Sequence, residues 1–468
     1  MLRRAATNGS SWRRYHAGML VLRLAAGVLL SDRPPTGRAL TAVRQALQGV
    51  DRPRSRALLH SIVAATTKMG PDPADAIIDS FIAYGTYLYR EGSYPLSVDV
   101  YRATVAVITH LGTSHELATA HYWMGYALRE CSDDVKAREA FTAARWISER
   151  DGDRALALKA RIALASIEWA AGRKVDVEYA AGGNHRAAEI LDRVLSDAEA
   201  AQLPDIVAAA AHDRGVVACQ MGDHRLAFTL YTLAFRLHTE QYRRFRLLPD
   251  IGRSLVAVGL FDVAREALLA TYLAAPERFA RLTAGLNLLD LAVVAGHEDS
   301  FEQYRMALAD AALPAHLRLA YWLTVGEGCL AFGQPDDARL ALERARRLAA
   351  RYGLKPEYQQ ATDRLAGNPL RDLPPKTSDM WPELAPLVDA VRSFGGLSSL
   401  LRLAHEERGD WDARRATGSH VRHRRRKWWR AAGTAPTAPE RVGRAEGTVR
   451  TRPAPQKPLV DFTTTVRQ

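Results

Sequence analysis

Glycines stand at two fixed places in a recurring period of this chain, and that pattern limits the fold more than any other feature. Gly85, Gly215, Gly252 and Gly326 each precede a second glycine by seven residues, at Gly92, Gly222, Gly259 and Gly333. Five residues past each second glycine comes a small residue (Ser97, Ala227, Ala264, Ala338). A large one follows four further on (Tyr101, Tyr231, Leu268, Leu342), and a small one three beyond that (Thr104, Ala234, Thr271, Ala345). Gly125, Ala137, Phe141 and Ala144 fit the same skeleton, with Ser132 in place of the turn glycine. The early glycines at 215, 252 and 326 are separated by 37 and then twice 37 residues. The skipped position is Leu289, whose unit keeps a turn glycine at Gly296. A degenerate unit fits 155–199, with a polar, Gly-containing insertion near 173–184 between its helices.

The pattern predicts a helix–turn–helix unit repeated along the chain. The early glycine lets helix A lie against its partner, and the turn glycine ends helix A in a conformation that side chains resist. Small–large–small spacing lets helix B nest between neighbours. One such pair cannot bury its apolar face alone, so the units stack. Apolar residues make up 47% of the chain and aromatics only 8%, with alanine and leucine dominant, which favours close helix packing over strands.

These positions resemble the tetratricopeptide repeat family over roughly 74–350. Trp322 stands four residues before Gly326, where that family favours tryptophan, and Pro276 stands where it often ends helix B. The 37-residue spacing exceeds the family's usual ~34, so the turns between units are expected to be longer. The resemblance implies an all-α α-solenoid of stacked antiparallel helix pairs, a TPR-like superhelix whose A helices line a concave groove. In that family, ligand contacts fall three before, one after and four to five after the helix A glycine. Here those places hold Tyr122, Tyr126 and Arg129 in one unit, and His212, Arg253, Asp290 and Glu327 in later ones. Thr86, Tyr126, Val216, Arg253, Asp290 and Glu327 occupy the place after the glycine; none is Asn, which argues against clamping of a C-terminal carboxylate.

Charge divides the chain into three segments. The first 60 residues carry 11 arginines against Asp32 and Asp51, and 413–468 carries 14 basic residues against Glu440, Glu446 and Asp461. With a net charge of +12 for the whole, the body between is mildly acidic, so any attraction for phosphate or anionic surfaces acts at the ends. The expected organisation is a basic N-terminal helical segment (1–73), the repeat array (74–352), a Pro-containing linker with capping helices (353–412) and a disordered basic tail (413–468). The helical segment 384–409 is expected to cap the array. Breaks are expected at Asp32-Arg33-Pro34-Pro35, near Asp51-Arg52-Pro53 and at Gly70-Pro71-Asp72-Pro73. The apolar run Ala17–Leu30 reads as a packed helix, with an export signal or a surface-lying helix as the other readings. Arg23 interrupts it, no small-x-small cleavage site follows, and it is too short to span a bilayer.

No phosphate-binding glycine loop, HExxH or GxSxG occurs. Cys131, Cys219 and Cys329 are scattered and form no CxxC pair, against a disulfide framework or zinc site and in favour of a reducing, cytoplasmic setting. His212-Asp213 reads as a helix face rather than a catalytic dyad. No cofactor is implied and the chain reads as a non-enzyme. Arginine supplies 56 of the 64 basic residues, a composition typical of GC-rich bacterial genomes.

Two functional classes follow. The first is an interaction scaffold holding a protein or peptide segment in the groove. The second is a ligand-sensing regulator that contacts nucleic acid through its basic ends. The tail cluster Arg424, Arg425, Arg426, Lys427, Trp428, Trp429 and Arg430 suits an anionic partner, because clustered cations attract phosphates while indole rings stack on bases or sit at a lipid interface. An incidental solubilising tail is the other reading.

Overall fold

A glycine within a helix leaves a notch in its surface, and here a large side chain sixteen residues on fills each notch. A Cβ built on Gly85 would lie 2.7 Å from the Tyr101 ring, on Gly125 or Gly215 2.6 Å from Phe141 or Tyr231, and on Gly252 or Gly326 2.6 or 2.5 Å from Leu268 or Leu342. The turn glycines Gly92, Gly222, Gly259, Gly296 and Gly333 all have φ between +69° and +82°, the left-handed region that lets a helix stop within one residue. After each, a backbone N–H reaches back five residues, as in Asp223 N to Ala218 O (2.9 Å) and Leu260 N to Leu255 O (3.0 Å). The same five-residue bond runs from Asp133 N to Leu128 O at 3.0 Å.

The computed structural model describes residues 9–31, 33, 35–67, 73–111, 115–131, 133–172, 177–309, 311, 313–352, 354–368 and 381–394. Among these the regular structure is entirely helical. Residues 1–124 and 125–394, as far as described, pack as two compact units.

The first unit holds α1 (Gly9–Ser31), α2 (Gly37–Gln48), α3 (Pro53–Thr67), α4 (Pro73–Arg90) and α5 (Tyr94–Leu111), and α6 (His115–Glu130) contributes residues to both units. Three helices precede α4, separated at the proline breaks. The apolar run is a packed helix: Ala17, Val21, Leu22 and Ala25 of α1 are buried with Leu47, Leu59, Ile62, Phe81 and Tyr84. No helix among the described residues is long and apolar enough to cross a membrane.

The second unit is an α-solenoid of antiparallel helix pairs: α7 (Asp134–Asp151) against the end of α6, then α8 (Arg154–Gly172) with α9 (Val177–Ala200). There follow α10 (Pro204–Gln220) with α11 (His224–Leu237), α12 (Gln241–Ala257) with α13 (Phe261–Ala274), and α14 (Arg278–Val294) with α15 (Glu298–Ala309). The last pair is α16 (Ala315–Ala331) with α17 (Pro335–Tyr352). Part of the expected polar insertion is helical, since α9 begins at Val177. In the unit lacking the early glycine, Leu289 fills the notch position itself. The bulky role passes to Phe301, whose ring presses on Gly328 of α16 where a Cβ would collide with it.

The two layers differ. A helices of successive units touch one another (α8 with α10, α12 with α14, α14 with α16), whereas no comparable contact joins α9 to α11, α11 to α13 or α15 to α17. The A layer is therefore the short, inner side of the second unit. Beyond α17, α18 (Lys355–Leu365) packs on α17 and α16 in the place of a next A helix. A 3-10 turn (Pro382–Leu384) and α19 (Ala385–Ser393) lie on α11 and α13 of the outer layer. The rest of the expected capping segment and the whole tail lie outside the described residues.

Candidate functional site

Units repeating every 37 residues bring like positions of adjacent A helices together, and polar side chains there bond across the junction. Arg129 donates to Ser166 Oγ (2.8 Å), 37 residues on. His212 Nε2 lies 3.0 Å from Asp250 Oδ2, 38 residues on. Asn287 donates to the Pro249 carbonyl (3.1 Å), and Arg364 to Glu327 (3.1 Å). The inner wall is thus a ladder of polar rungs, each tying one A helix to the next.

The α10–α12 stretch of this wall brings charged groups of both signs together. Asp250 accepts from His212 and, through Oδ1, from Arg253 (3.2 Å). His212 and Asp250 keep 18% and 30% of their side-chain surface open. Burial pushes the His212 pKa down, but the Asp250 hydrogen bond and the charges of Asp250 and Asp213 outweigh it, so the value is raised. Burial likewise pushes Asp250 up, and the His212 hydrogen bond with the Arg253, His212 and Arg246 charges brings it below the ordinary carboxylate range. His238, buried behind them, is pushed down to about 3 by burial and by His212, Arg243, Arg244 and Arg246; it stays neutral at physiological pH.

Asp213 and Lys159, both partly exposed, make no hydrogen bond or ion pair among the described residues. Asp213, next to His212 on α10, is raised by burial against the pull of His212 and Arg129. Lys159, on α8, is lowered by burial and by Arg243, against Asp153 and Asp205. Neither was singled out from the sequence as a ligand contact. Lys159 stands 37 residues after Tyr122, so the repeat offset was the signal that could have found it; Asp250 follows His212 by one repeat plus one residue.

The residues expected to line the groove have separate fates. Tyr126 stands edge-on to Phe141 (centroids 5.2 Å apart), with the Arg129 guanidinium 4.8 Å over its ring. Tyr122 belongs to the first unit, edge-on to Trp123 at 5.6 Å. His212 and Arg253 meet at Asp250. Asp290 is partly buried on α14. Glu327 is only 8% exposed, because α18 covers it. Its carboxylate accepts from Arg364 and from Gln360 (3.0 Å), and burial of that pair leaves nothing to offer a ligand. The cluster Arg424–Arg430 lies outside the described residues. Among the described residues no group of three or more His, Cys, Asp or Glu is placed to hold a metal ion.

No family model matches the chain, and no curated protein matches it in sequence. Among solved structures the chain is similar to the Rap conjugation gene regulator of plasmid pLS20 in complex with the Phr* peptide. That match is 15% identical and covers 72% of this chain and 97% of the other, with a TM-score of 0.47. It is also similar to a Rap protein complexed with competence and sporulation factor (13% identical, 74% and 99% covered, TM-score 0.47). A third similar structure is the apo form of RapI (12% identical, 58% and 99% covered, TM-score 0.44).

Proposed function

We propose that the second unit is a non-catalytic scaffold that takes an extended protein or peptide segment along its A-helix wall. One observation carries this reading: Asp213 and Lys159 are half-buried on the A-helix wall, and both are without a hydrogen-bonding or ion-pair partner among the described residues. A half-buried ionisable group is partly desolvated, and a ligand that brings the opposite charge to it gains a pairing that solvent supplies only in part. The neighbouring groups have mixed sign (Arg129, Arg246, Arg253, Asp250), so the fitting ligand has mixed charge and an extended backbone. The ladder bonds hold the wall rigid before binding, which lowers the ordering cost of association.

The test is a display library of extended peptides panned on the full chain, with hits remeasured by fluorescence polarisation. Hits should lose at least tenfold in affinity on Asp213→Ala or Lys159→Ala, and should keep their affinity on Asp299→Ala, outside the A helices. A folded chain that enriches no peptide, or hits indifferent to both wall substitutions, would refute the proposal.

A further inference from the structure

The outer layer of the second unit has a cleft between α11 and α13, and the chain fills it with residues 381–394. Leu384, Leu387, Val391 and Phe394 are buried in the same core cluster as Phe228, Phe235 and Phe245. The Phe394 ring stands edge-on to Phe235 (5.5 Å) and Phe245 (5.0 Å). At the other end, the Trp381 ring meets Phe228 at 6.0 Å. Arg392 makes a two-pronged ion pair with Glu266 of α13, at 2.7 and 3.2 Å. Aromatic anchors at both ends and a bidentate ion pair between them are the features of a docked recognition helix.

The cleft backs onto a weak point of the wall. α10 and α12 pack more sparsely than α8 with α10, α12 with α14 or α14 with α16, and α11 meets α12 loosely as well. On the inner side this junction is held by the His212–Asp250 bond, and Tyr231 OH to Ser254 Oγ (3.1 Å) ties α11 to α12 in the core. On the outer side it is held by the docked segment. The two sides are joined through Arg244, which lies over the Phe394 ring at 5.7 Å and donates to the His238 carbonyl (2.6 Å) in the α11–α12 turn. α12 carries both Arg244 and Asp250, so a shift of that turn moves Asp250 relative to His212.

We propose that the α11–α13 cleft is a second binding surface of this chain, that residues 381–394 are its occupant, and that its occupancy holds the α10–α12 junction of the wall in register. That this regulates ligand uptake rests on the peptide reading above; the coupling between cleft and wall does not.

The experiment uses the full chain with labelled histidines. Arg392→Glu/Phe394→Ala releases the segment, and Arg392→Glu alone removes the ion pair should the double variant fail to fold. Asp250→Asn marks how His212 titrates with its bond lost. Release is expected to speed hydrogen exchange in α19 and also in α10 and α12, and to move the His212 titration toward that of Asp250→Asn. Charge reversal on both sides, Arg392→Glu/Glu266→Arg, should restore both readouts. Faster exchange confined to α19, with His212 titrating as in the parent chain, would overturn the coupling. The readouts need no ligand, so a chain that binds no peptide yet shows the shift would fail the peptide reading and leave this inference intact.

Discussion

Replacing Gly252 by alanine pits two effects of opposite sign against each other. A helical glycine exchanged for alanine gains ~1 kcal/mol of helix propensity. At Gly252, however, the added Cβ would lie 2.6 Å from Leu268 Cγ and 2.7 Å from its Cδ2. Leu268 is fully buried beside Ala264 and Ala267, so it has no free space to retreat into, and overpacking of this kind costs ~1–3 kcal/mol. The contact is near the root of the side chain rather than its tip, which places the cost toward the upper end and makes Gly252→Ala destabilising by roughly 1–2 kcal/mol net. Gly27 gives the control. It is helical too, but a Cβ there meets nothing within 4 Å, so Gly27→Ala should stabilise by up to ~1 kcal/mol. Leu268→Ala alone leaves a cavity worth ~2–5 kcal/mol. Combined with Gly252→Ala it relieves the clash, so the double variant should cost less than the two singles together by ~1 kcal/mol or more. Urea unfolding followed by far-UV circular dichroism measures all four. A Gly252→Ala chain as stable as the parent, or a strictly additive double variant, would refute the notch-and-knob account of the repeat.

Three further outcomes follow from the wall. Arg364→Ala leaves the Glu327 carboxylate without its counter-charge under α18, with Gln360 its remaining donor, and should cost ~3 kcal/mol, seen as fast hydrogen exchange through Lys355–Leu365; protection kept there would show that the pair does not hold α18. Because the folded pKa of His212 is raised, its contribution is complete below its unfolded value of ~6.5 and is lost as pH rises through the folded value. Asp250, lowered in the fold, contributes above its unfolded value of ~3.9 and loses that as pH falls. Asp250→Asn should therefore drop the His212 titration below its ordinary value and flatten the decline in melting temperature above pH 6.5; an unchanged titration would sink the pairing. Asp213 has a raised folded pKa, so its ionised form costs stability at neutral pH. Asp213→Asn should melt higher than the parent at pH 7 while binding wall peptides more weakly, and a lower melting point would mean that the carboxylate has a partner in solution.

The repeat was legible because it rests on local rules. A positive φ needs glycine, and a close helix contact needs a missing Cβ; both leave residues at fixed offsets. The pairing of Gly215 with Tyr231 and of Gly326 with Leu342 could be written from spacing alone. The degenerate units were harder: at Leu289 the volume moved from the large position to Phe301, and no single-unit pattern shows such an exchange. The wall was legible only in part. The family offset pointed to His212 and Arg253, but not to Asp250, which joins them from one turn before Arg253 on α12. The same offset pointed to Glu327, whose access is removed by a helix from outside the repeat pattern.

What the sequence by itself determined is therefore the unit: which segments are helices, where the turn glycines end the A helices, and which positions are small and which large. These depend on contacts within some twenty residues, and the period repeats them. Only the tertiary structure decided which wall groups are paired and where residues 381–394 go. Arg392 meets Glu266 across 126 residues, and nothing periodic links the two positions. Their meeting depends on a cleft that exists only once α11 and α13 are stacked, because an apolar face names no partner until the surface that complements it has formed.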